Sequence, residues 1–432
     1  MVAIRYTIKR TEKEKDASME EHKDPEEEYS FLKETIKDEA LKTKLKRDVL
    51  RMSWLGLIFG VIASFSFSAF HPLMDKLFKS NPQEVTIPEE KEEEDGKEEE
   101  KPEETEQQIL DAQSYRQMQK SLTEVAVQAK KSVVEITGAK STEDWTAAAE
   151  EAEHSAAGLI IADNGQQLLI LGEKLSAEET GEVQVIFGDG QAYPARLKKQ
   201  DGNLGLGIYA VERSAIADAT WAQIETAKLG SSKSVTEGDP VIVLGNPFGS
   251  GTAMGFGTVA STQKYQRMAD GNYQFLCTDI AAAENGSGVL VNLAGEVVGI
   301  VAKSTLAEEE PALVTGYGIT ELKKIIELLS NGQSVPYLGI SGVDVTAQVV
   351  EQGIPEGVYV KEVAADSPAM GVGVQTGDVI TSIGGKKVIT LTAYHQELFE
   401  KRSGEKIKLK VKRQGSGGYV DVEFDVTVGS KE

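Results

Sequence analysis

The feature that most constrains this chain is a long apolar run without a charged residue. It extends from Trp54 to Leu73, and the first acidic side chain after it is Asp75. A run of this length matches one helical crossing of a bilayer. A buried core helix is the alternative, but the sequence up to residue 107 holds too few apolar side chains to cover one. We therefore predict a transmembrane helix over residues 53–73.

The charges beside this run predict its orientation. The far flank carries only Lys76 and Lys79, whereas the N-terminal flank carries Lys42, Lys44, Lys46, Arg47 and Arg51. The positive-inside rule then places residues 1–52, a strongly charged segment, in the cytoplasm. Because the run starts far from residue 1 and lacks a clean cleavage site, we expect an uncleaved signal anchor in the cell membrane. The chain after it would be extracytoplasmic.

Charge and composition exclude several classes of function. The 69 acidic and 46 basic residues give a net charge of -23, which opposes binding to nucleic acid. Much of the acid lies in tails and in residues 74–107, where glutamates and prolines predict a disordered, self-repelling linker. The single cysteine, Cys277, rules out an intramolecular disulfide and is expected to be a small buried side chain. Histidine and cysteine are too scarce for a metal site, and we expect no cofactor.

The texture changes from residue 108 onward and predicts a mainly β fold. Short apolar runs alternate with Gly, Asp and Asn, as in barrels and sandwiches; the clearest runs are 132–136, 158–161, 183–187 and 241–244. Apolar residues at helical spacing over 321–329 stop at Asn331-Gly332 and predict a helix. The remainder, from 337 to about 428, has the size of a small binding domain, with strands at 357–360 and 406–411 and one helix near 391–401.

Several of these segments resemble the HtrA/DegP family of trypsin-like serine proteases. They are SLTEVAVQAKKSVVEITG at 121–138 as an opening strand segment, VIFGDGQAYPARL at 185–197, GDPVIVLGNPFG at 238–249, NLAGEVVGIV at 292–301 and GYGITELKKIIELLSNGQSVPYLGI at 316–340. The resemblance implies a trypsin-like double β-barrel over residues 108–334 and a PDZ domain over 335–432. The expected fold is thus mainly β, preceded by one transmembrane helix.

The resemblance also locates the catalytic triad, in which a histidine activates a serine and an aspartate orients the histidine. Gly172 stands at the histidine position, and Gly205 stands at the aspartate position. The nucleophile loop, ENGSGVLVN from 284 to 292, is one residue short. Its alignment puts either Gly286 or Ser287 at the serine position. Because glycine has no side chain that can move a proton, we predict a degenerate, pseudoprotease-like site.

Two other residues are candidates for a replacement base. His154 is the only histidine in the barrel region, and it follows the acidic stretch 151–153. Lys174 lies two residues beyond Gly172. We interpret both as solvated side chains rather than catalysts, since nothing in the sequence fixes a tautomer or desolvates an amine. A serine without a base is a poor nucleophile at neutral pH, so Ser287 alone is not expected to give activity.

The PDZ resemblance implies a peptide-binding site that survives the loss of the triad. In this family a loop of backbone amides receives the terminal carboxylate of a peptide, which adds as a strand to the sheet edge. The implied residues are Tyr337, Leu338, Gly339 and Ile340 in the loop and Tyr394, His395 and Leu398 on the helix. For Leu338 and Ile340, core packing is an equal alternative. Pro368, Gly373, Gly377 and Asp378 are interpreted as structural residues of turns.

Three hypotheses about function follow. The first is an inactive, membrane-anchored protein that binds polypeptide C-termini or unfolded segments in extracytoplasmic protein quality control. The second is an active serine endopeptidase that uses Ser287 with an unrecognised base. The third is a regulatory subunit of an active HtrA-like protease, because the family resemblance implies homo- or hetero-trimers with paralogues.

Overall fold

The computed structural model describes residues 84–88, 111–139, 155–175, 182–249, 252–302 and 313–431. The predicted cytoplasmic segment, the predicted membrane span and His154 all lie outside these ranges. Within them, no helix combines the length and the apolar character needed to cross a membrane.

The described part after the linker begins with a helix, α1 (Ala112–Lys130), and not with a strand. Asp111 caps it, because its carboxylate accepts hydrogen bonds from the amides of Gln113 at 3.0 Å and Ser114 at 2.7 Å. The prediction of an opening strand segment over 121–138 is therefore wrong for its first half. The strand starts only at Val133, after the helix has buried Ala126.

The first barrel is a seven-stranded antiparallel sheet in the order β5-β4-β1-β2-β3-β7-β6. Its strands are β1 (Val133–Ala139), β2 (Ala156–Asp163), β3 (Gln167–Glu173), β4 (Glu182–Ile186), β5 (Ala192–Pro194), β6 (Arg196–Asp201) and β7 (Leu206–Glu212). A 3₁₀ turn (Arg213–Ala215) and a short helix, α2 (Asp218–Trp221), follow it. The apolar runs predicted at 132–136, 158–161 and 183–187 form β1, β2 and β4.

The second barrel has seven strands in the order β10-β11-β14-β13-β12-β8-β9, and an additional pairing of β11 with β9 closes it. The strands are β8 (Pro240–Asn246), β9 (Ala253–Ser261), β10 (Tyr265–Met268), β11 (Gly271–Ala281), β12 (Ser287–Val291), β13 (Val297–Val301) and β14 (Leu313–Gly318). The hairpin of β10 and β11 turns at residues 269 and 270 and projects toward the C-terminal domain.

Helix α3 (Ile319–Ser330) ends the barrel region and buries its apolar face in the core that the two barrels share. Residues 84–88 lie against this helix. The amide of Val85 donates to Asn331 Oδ1 at 2.8 Å, the amide of Ile87 donates to Glu327 Oε2 at 3.1 Å, and the Ile87 side chain is 8% exposed. The disordered linker predicted over 74–107 therefore contains a short stretch that is anchored to the barrel region.

The C-terminal domain is built on a sheet in the order β15-β16-β17-β19-β20, with β18 paired to β17. Its elements are β15 (Ile340–Asp344), α4 (Ala347–Glu351), β16 (Val358–Val363), α5 (Pro368–Val372), β17 (Val379–Ile383), β18 (Lys386–Lys387), α6 (Leu391–Phe399), β19 (Lys406–Gly415) and β20 (Gly418–Thr427). The mainly β prediction is confirmed, and the helix expected near 391–401 is α6. Asp378 has the structural role predicted for it, since it is 1% exposed and forms a two-point ion pair with Arg413 at 2.7 Å.

Candidate functional site

Gly172, at the position implied for the catalytic histidine, lies near the end of β3. It pairs with Gly158 of β2 on one side and with Gly207 of β7 on the other. A Cβ atom at residue 172 would overlap the Cδ1 atom of Ile136, a fully buried side chain of β1. An apolar side chain from β1, which lies beyond β2 in the same sheet, therefore fills the space that a histidine would enter.

Gly205, at the position implied for the aspartate, lies in the turn between β6 and β7. Its φ is +70°, a conformation that favours glycine, although no other atom lies within 4 Å of a Cβ built there. Its carbonyl oxygen accepts a hydrogen bond from the amide of Lys174 at 2.8 Å. The Lys174 side chain is exposed. Position 205 therefore has room for a side chain, but glycine supplies none.

Gly286 lies in the shortened loop between β11 and β12. A Cβ atom there would overlap the carbonyl oxygen of Pro247 and would lie 3.0 Å from the carbonyl oxygen of Ala283. The Gly286 amide donates to that Ala283 oxygen at 2.9 Å. An oxyanion hole needs amides that are free to donate to the reacting carbonyl, and this amide is instead used in a turn.

Ser287 begins β12 opposite Asn246 of β8 and is only 1% exposed. Its Oγ accepts a hydrogen bond from the amide of Ala157 at 2.9 Å. Ala157 precedes Gly158, the strand partner of Gly172, so the positions implied for histidine and serine meet where the two barrels join. In the described ranges, no histidine, lysine or carboxylate shares a hydrogen bond with this hydroxyl. The contact joins the two barrels.

The loop of residues 337–340 precedes and enters β15, the edge strand of the PDZ sheet. Leu338 and Ile340 are 0% and 1% exposed and belong to the core of this domain. Gly339 has a φ of +85°, and a Cβ atom there would overlap Ser367. Tyr337 uses its amide and carbonyl within the domain, in two hydrogen bonds with Gly429 at 3.0 and 2.9 Å. The amides of residues 338–340 share a single acceptor.

That acceptor is Asp270, at the tip of the β10–β11 hairpin of the second barrel. Its Oδ2 accepts hydrogen bonds from the amides of Leu338 at 2.6 Å and Gly339 at 2.5 Å, and its Oδ1 accepts one from Ile340 at 3.2 Å. In return, the Asp270 amide donates to the Ile340 carbonyl oxygen at 2.8 Å. Asp270 is 5% exposed, and its φ of 56° lies in the left-handed region.

Tyr394 of α6 supplies a fourth donor to the same carboxylate. Its hydroxyl donates to Asp270 Oδ1 at 2.6 Å, and its side chain is fully buried. Burial, with a contribution from the charge of Asp270, raises the pKa of Tyr394 well above its ordinary value, so this phenol remains a donor. Burial also raises the pKa of Asp270, while the hydrogen bonds from Tyr394 and the loop amides oppose that rise.

The other two implied helix residues face different surroundings. Leu398 is 1% exposed and packs in the PDZ core. His395 lines a cavity of about 470 Å³, whose opposite wall includes Tyr265 and Asn272 of the second barrel. In the described part of the chain, the buried Nε2 atom of His395 has no hydrogen-bond partner, and burial lowers the pKa of this imidazole to about 4.

Asp270 is the site residue that sequence reasoning missed. The only signal at this position is the Asp270-Gly271 pair, which is typical of a turn between strands. Nothing local connects that turn to a loop 68 to 70 residues further along the chain. Only the placement of the two domains brings them together.

Two protein-family models match the chain. The model described as "Trypsin-like peptidase domain" matches residues 156–300, and the model described as "PDZ domain" matches residues 336–427.

Among curated proteins, the chain is 27% identical over 268 residues to "Serine protease Do-like HtrA" of Lactobacillus helveticus, covering 56% of this chain and 61% of that protein. It is also 27% identical over 253 residues to "Periplasmic serine endoprotease DegP" of Escherichia coli strain K12, covering 56% of this chain and 51% of that protein. The matches therefore span between about half and three fifths of these relatives.

Among solved structures, "HtrA-type protease AlgW with tripeptide" has a TM-score of 0.51 and is 21% identical, covering 72% of this chain and 98% of that one. At this identity the likeness concerns the fold. Together with the two domain matches, the order of the elements and the curated relatives, it agrees with the resemblance noted in the sequence. These findings support a relationship to the HtrA/DegP family: a trypsin-like peptidase domain is followed by a PDZ domain.

Proposed function

We propose that this protein is a catalytically inactive member of the family that binds polypeptide C-termini or unfolded segments through its PDZ domain. The observation that carries the proposal is the packing of the former cleft. Ile136 fills the place of a histidine side chain. The hydroxyl oxygen of Ser287 accepts a hydrogen bond from the Ala157 amide at 2.9 Å. Without a base, proton removal from that hydroxyl has no acceptor.

Peptide binding is supported by the chemistry of the carboxylate loop. Three consecutive amides and a buried phenol converge on one carboxylate, which is the donor set that a terminal carboxylate requires. In the described residues, β15 pairs only with β16, so its other edge has no partner strand and is met only by the Asp270 turn at Ile340. A solved structure with the same fold is of a protease with a tripeptide.

We further propose that the protein is held at the cell membrane by one helix over residues 53–73, with both folded domains outside the cytoplasm. The support for this is the uncharged run 54–73 and the basic flank before it. Assembly with HtrA-like paralogues stays a prediction from the family resemblance.

A covalent serine probe applied to the full chain in detergent tests the inactive cleft. We expect no labelling by a fluorophosphonate and no cleavage of casein, with an active HtrA-type protease as the positive control. The matched variant is Ser287→Ala. Labelling and casein cleavage that are present in the natural chain and lost in Ser287→Ala would establish a working peptidase and end the proposal.

A further inference from the structure

The Asp270 turn reproduces the contacts of the last residue of a bound peptide. Its side-chain carboxylate takes the amides of residues 338–340, and its own amide donates to the Ile340 carbonyl oxygen at 2.8 Å. An added β-strand and a terminal carboxylate would make these same two kinds of contact. We propose that the Asp270 turn is an internal ligand of the PDZ domain, which competes with polypeptide C-termini for the carboxylate loop. This inference rests on the proposed peptide-binding function.

Competition follows from the number of donors. The loop offers the amides of Leu338, Gly339 and Ile340, and all three donate to Asp270 together with the Tyr394 hydroxyl. These donors lie in a buried site, where Asp270 is only 5% exposed. A second carboxylate at the same place would lack donors and would face a like charge at close range. The turn and a C-terminus therefore exclude each other.

The turn is held in place from the barrel side. The Asn203 side-chain amide donates to the carbonyl oxygen of Ala269, the residue before Asp270, at 2.6 Å. Asn203 itself lies in a turn that the Asp201 carboxylate orders through the amides of Asn203 at 3.3 Å and Leu204 at 3.0 Å. Because the turn is tethered and already oriented, it meets the loop at a high effective concentration.

The same contact is also suited to exchange. In the described residues, no lysine or arginine forms an ion pair with Asp270, so its charge is held by hydrogen bonds from neutral donors alone. Only one residue of the turn makes a backbone hydrogen bond to β15, through the Ile340 carbonyl oxygen. A peptide can bring its own carboxylate and pair with more of the open strand edge. It can therefore replace the turn without leaving any of the loop amides unpaired.

The test compares peptide binding by the full chain and by two variants of the turn. Asp270→Gly removes the carboxylate and accepts the left-handed φ of 56°. Asp270→Asn keeps the size and also tolerates this φ, but it turns a nitrogen donor toward the loop amides. Asp425→Asn is the matched control, because Asp425 is an exposed carboxylate on β20 of the same domain.

The probe is a pool of short fluorescein-labelled peptides with randomised C-terminal residues and a free carboxylate, next to the same pool amidated at the C-terminus. If the turn closes the loop in about nine molecules of ten, its removal tightens apparent binding about tenfold. We expect this gain for both Asp270 variants, only with free carboxylates, and no gain for Asp425→Asn. Equal affinity of the natural chain and both Asp270 variants would overturn the inference and leave peptide binding intact.

Amide hydrogen exchange over residues 336–341, measured without peptide, separates the two proposals. If neither the natural chain nor the variants bind the pool, the proposed function fails. Faster exchange of the 338–340 amides in Asp270→Gly then still supports occupancy of the loop by the turn. Unchanged exchange in that variant overturns the internal ligand, whatever the peptide result.

Discussion

The cleft at the implied triad positions and the carboxylate loop of the PDZ domain are both filled from within the chain, but by different kinds of contact. In the cleft, Ile136 packs on Gly172 inside one continuous sheet. In the loop, Asp270 arrives from another domain and is held by hydrogen bonds. Apolar filling by a core side chain can be undone only by repacking that core, whereas hydrogen bonds to a carboxylate can pass to another carboxylate. One site is closed by the fold, and the other is closed by a ligand.

The largest effect is expected when a side chain is forced back into the cleft. Gly172→His has to displace Ile136 in the first-barrel core, and overpacking of this kind costs about 3 kcal/mol or more of unfolding free energy. Thermal and denaturant unfolding of the full chain measure it. The control is Gly188→His, because Gly188 is exposed and has no atom within 4 Å of a built Cβ. Equal stability of the two variants would show that the cleft can open, and the contrast between the two sites would fail.

A smaller loss of stability is expected from Arg413→Ala. This variant tests whether the Asp378–Arg413 ion pair, unlike the Asp270 contact, is a fixed part of the fold. Asp378 is 1% exposed and pairs with Arg413, whereas Asp270 forms no ion pair with a lysine or arginine of the described residues. Loss of the cation leaves a buried charge; because the Arg413 side chain is 29% exposed, we expect about 2 kcal/mol of destabilisation rather than the larger cost of a fully buried pair. Unfolding of the PDZ domain reports it. The control Lys412→Ala removes a half-buried cation from the same strand; because its partner Asp421 is exposed, little effect is expected.

A fall in pH should destabilise the PDZ domain through protonation of His395. Burial lowers the pKa of this imidazole to about 4, against an opposing effect of Asp344, so the folded domain binds fewer protons than the unfolded chain below about pH 6.5. The resulting stability is complete above pH 6.5 and is lost as the pH falls toward 4. For this partly exposed side chain we expect a loss of about 1 to 2 kcal/mol. Unfolding of the natural chain and of His395→Gln across this range measures the difference, and parallel pH curves would contradict it.

The smallest effect is expected from Tyr394→Phe, which removes one of the four donors to Asp270. The ring remains in the core, so the domain should keep its fold, while docking of the turn weakens by about 1 kcal/mol. Amide exchange over residues 336–341 should increase modestly, and less than in Asp270→Gly. Tyr359→Phe is the control, since Tyr359 lies on β16 of the same domain outside these contacts. If the variant and the natural chain exchange at identical rates, the Tyr394 hydroxyl does not contribute to docking of the turn.

The strands and the helices α3 and α6 could be predicted because their signals are local. Apolar runs such as 241–244 and the helical spacing over 321–329 are short-range patterns that packing then reinforces. The sequence does not predict helix α1, because the resemblance assigns residues 121–138 to one opening strand segment, whereas the Asp111 cap begins a helix earlier in the chain. Residues 84–88 were treated as spacer, and the only contrary signal was the pair of apolar residues Val85 and Ile87.

The residues of the candidate site also fall into those that the sequence can predict and those that it cannot. Substitution of the triad positions by glycine can be read from motif spacing, but the reason why no side chain fits at 172 lies in Ile136, which is 36 positions away along the chain. The loop residues 338–340 could be assigned from resemblance, whereas their partner Asp270 could not. Its role exists only because the packing of two domains places a turn against a loop.

The packing of Ile136 also limits the mutational routes open to this protein. A histidine at 172 collides with Ile136 unless that residue becomes smaller, and a smaller residue at 136 opens a hole in a core that is now full, at about 1 kcal/mol or more. Either first step weakens the barrel, and a complete triad would still require an aspartate at Gly205. A chain with a histidine at 172 can therefore be reached only through a destabilised intermediate, whichever of the two residues changes first.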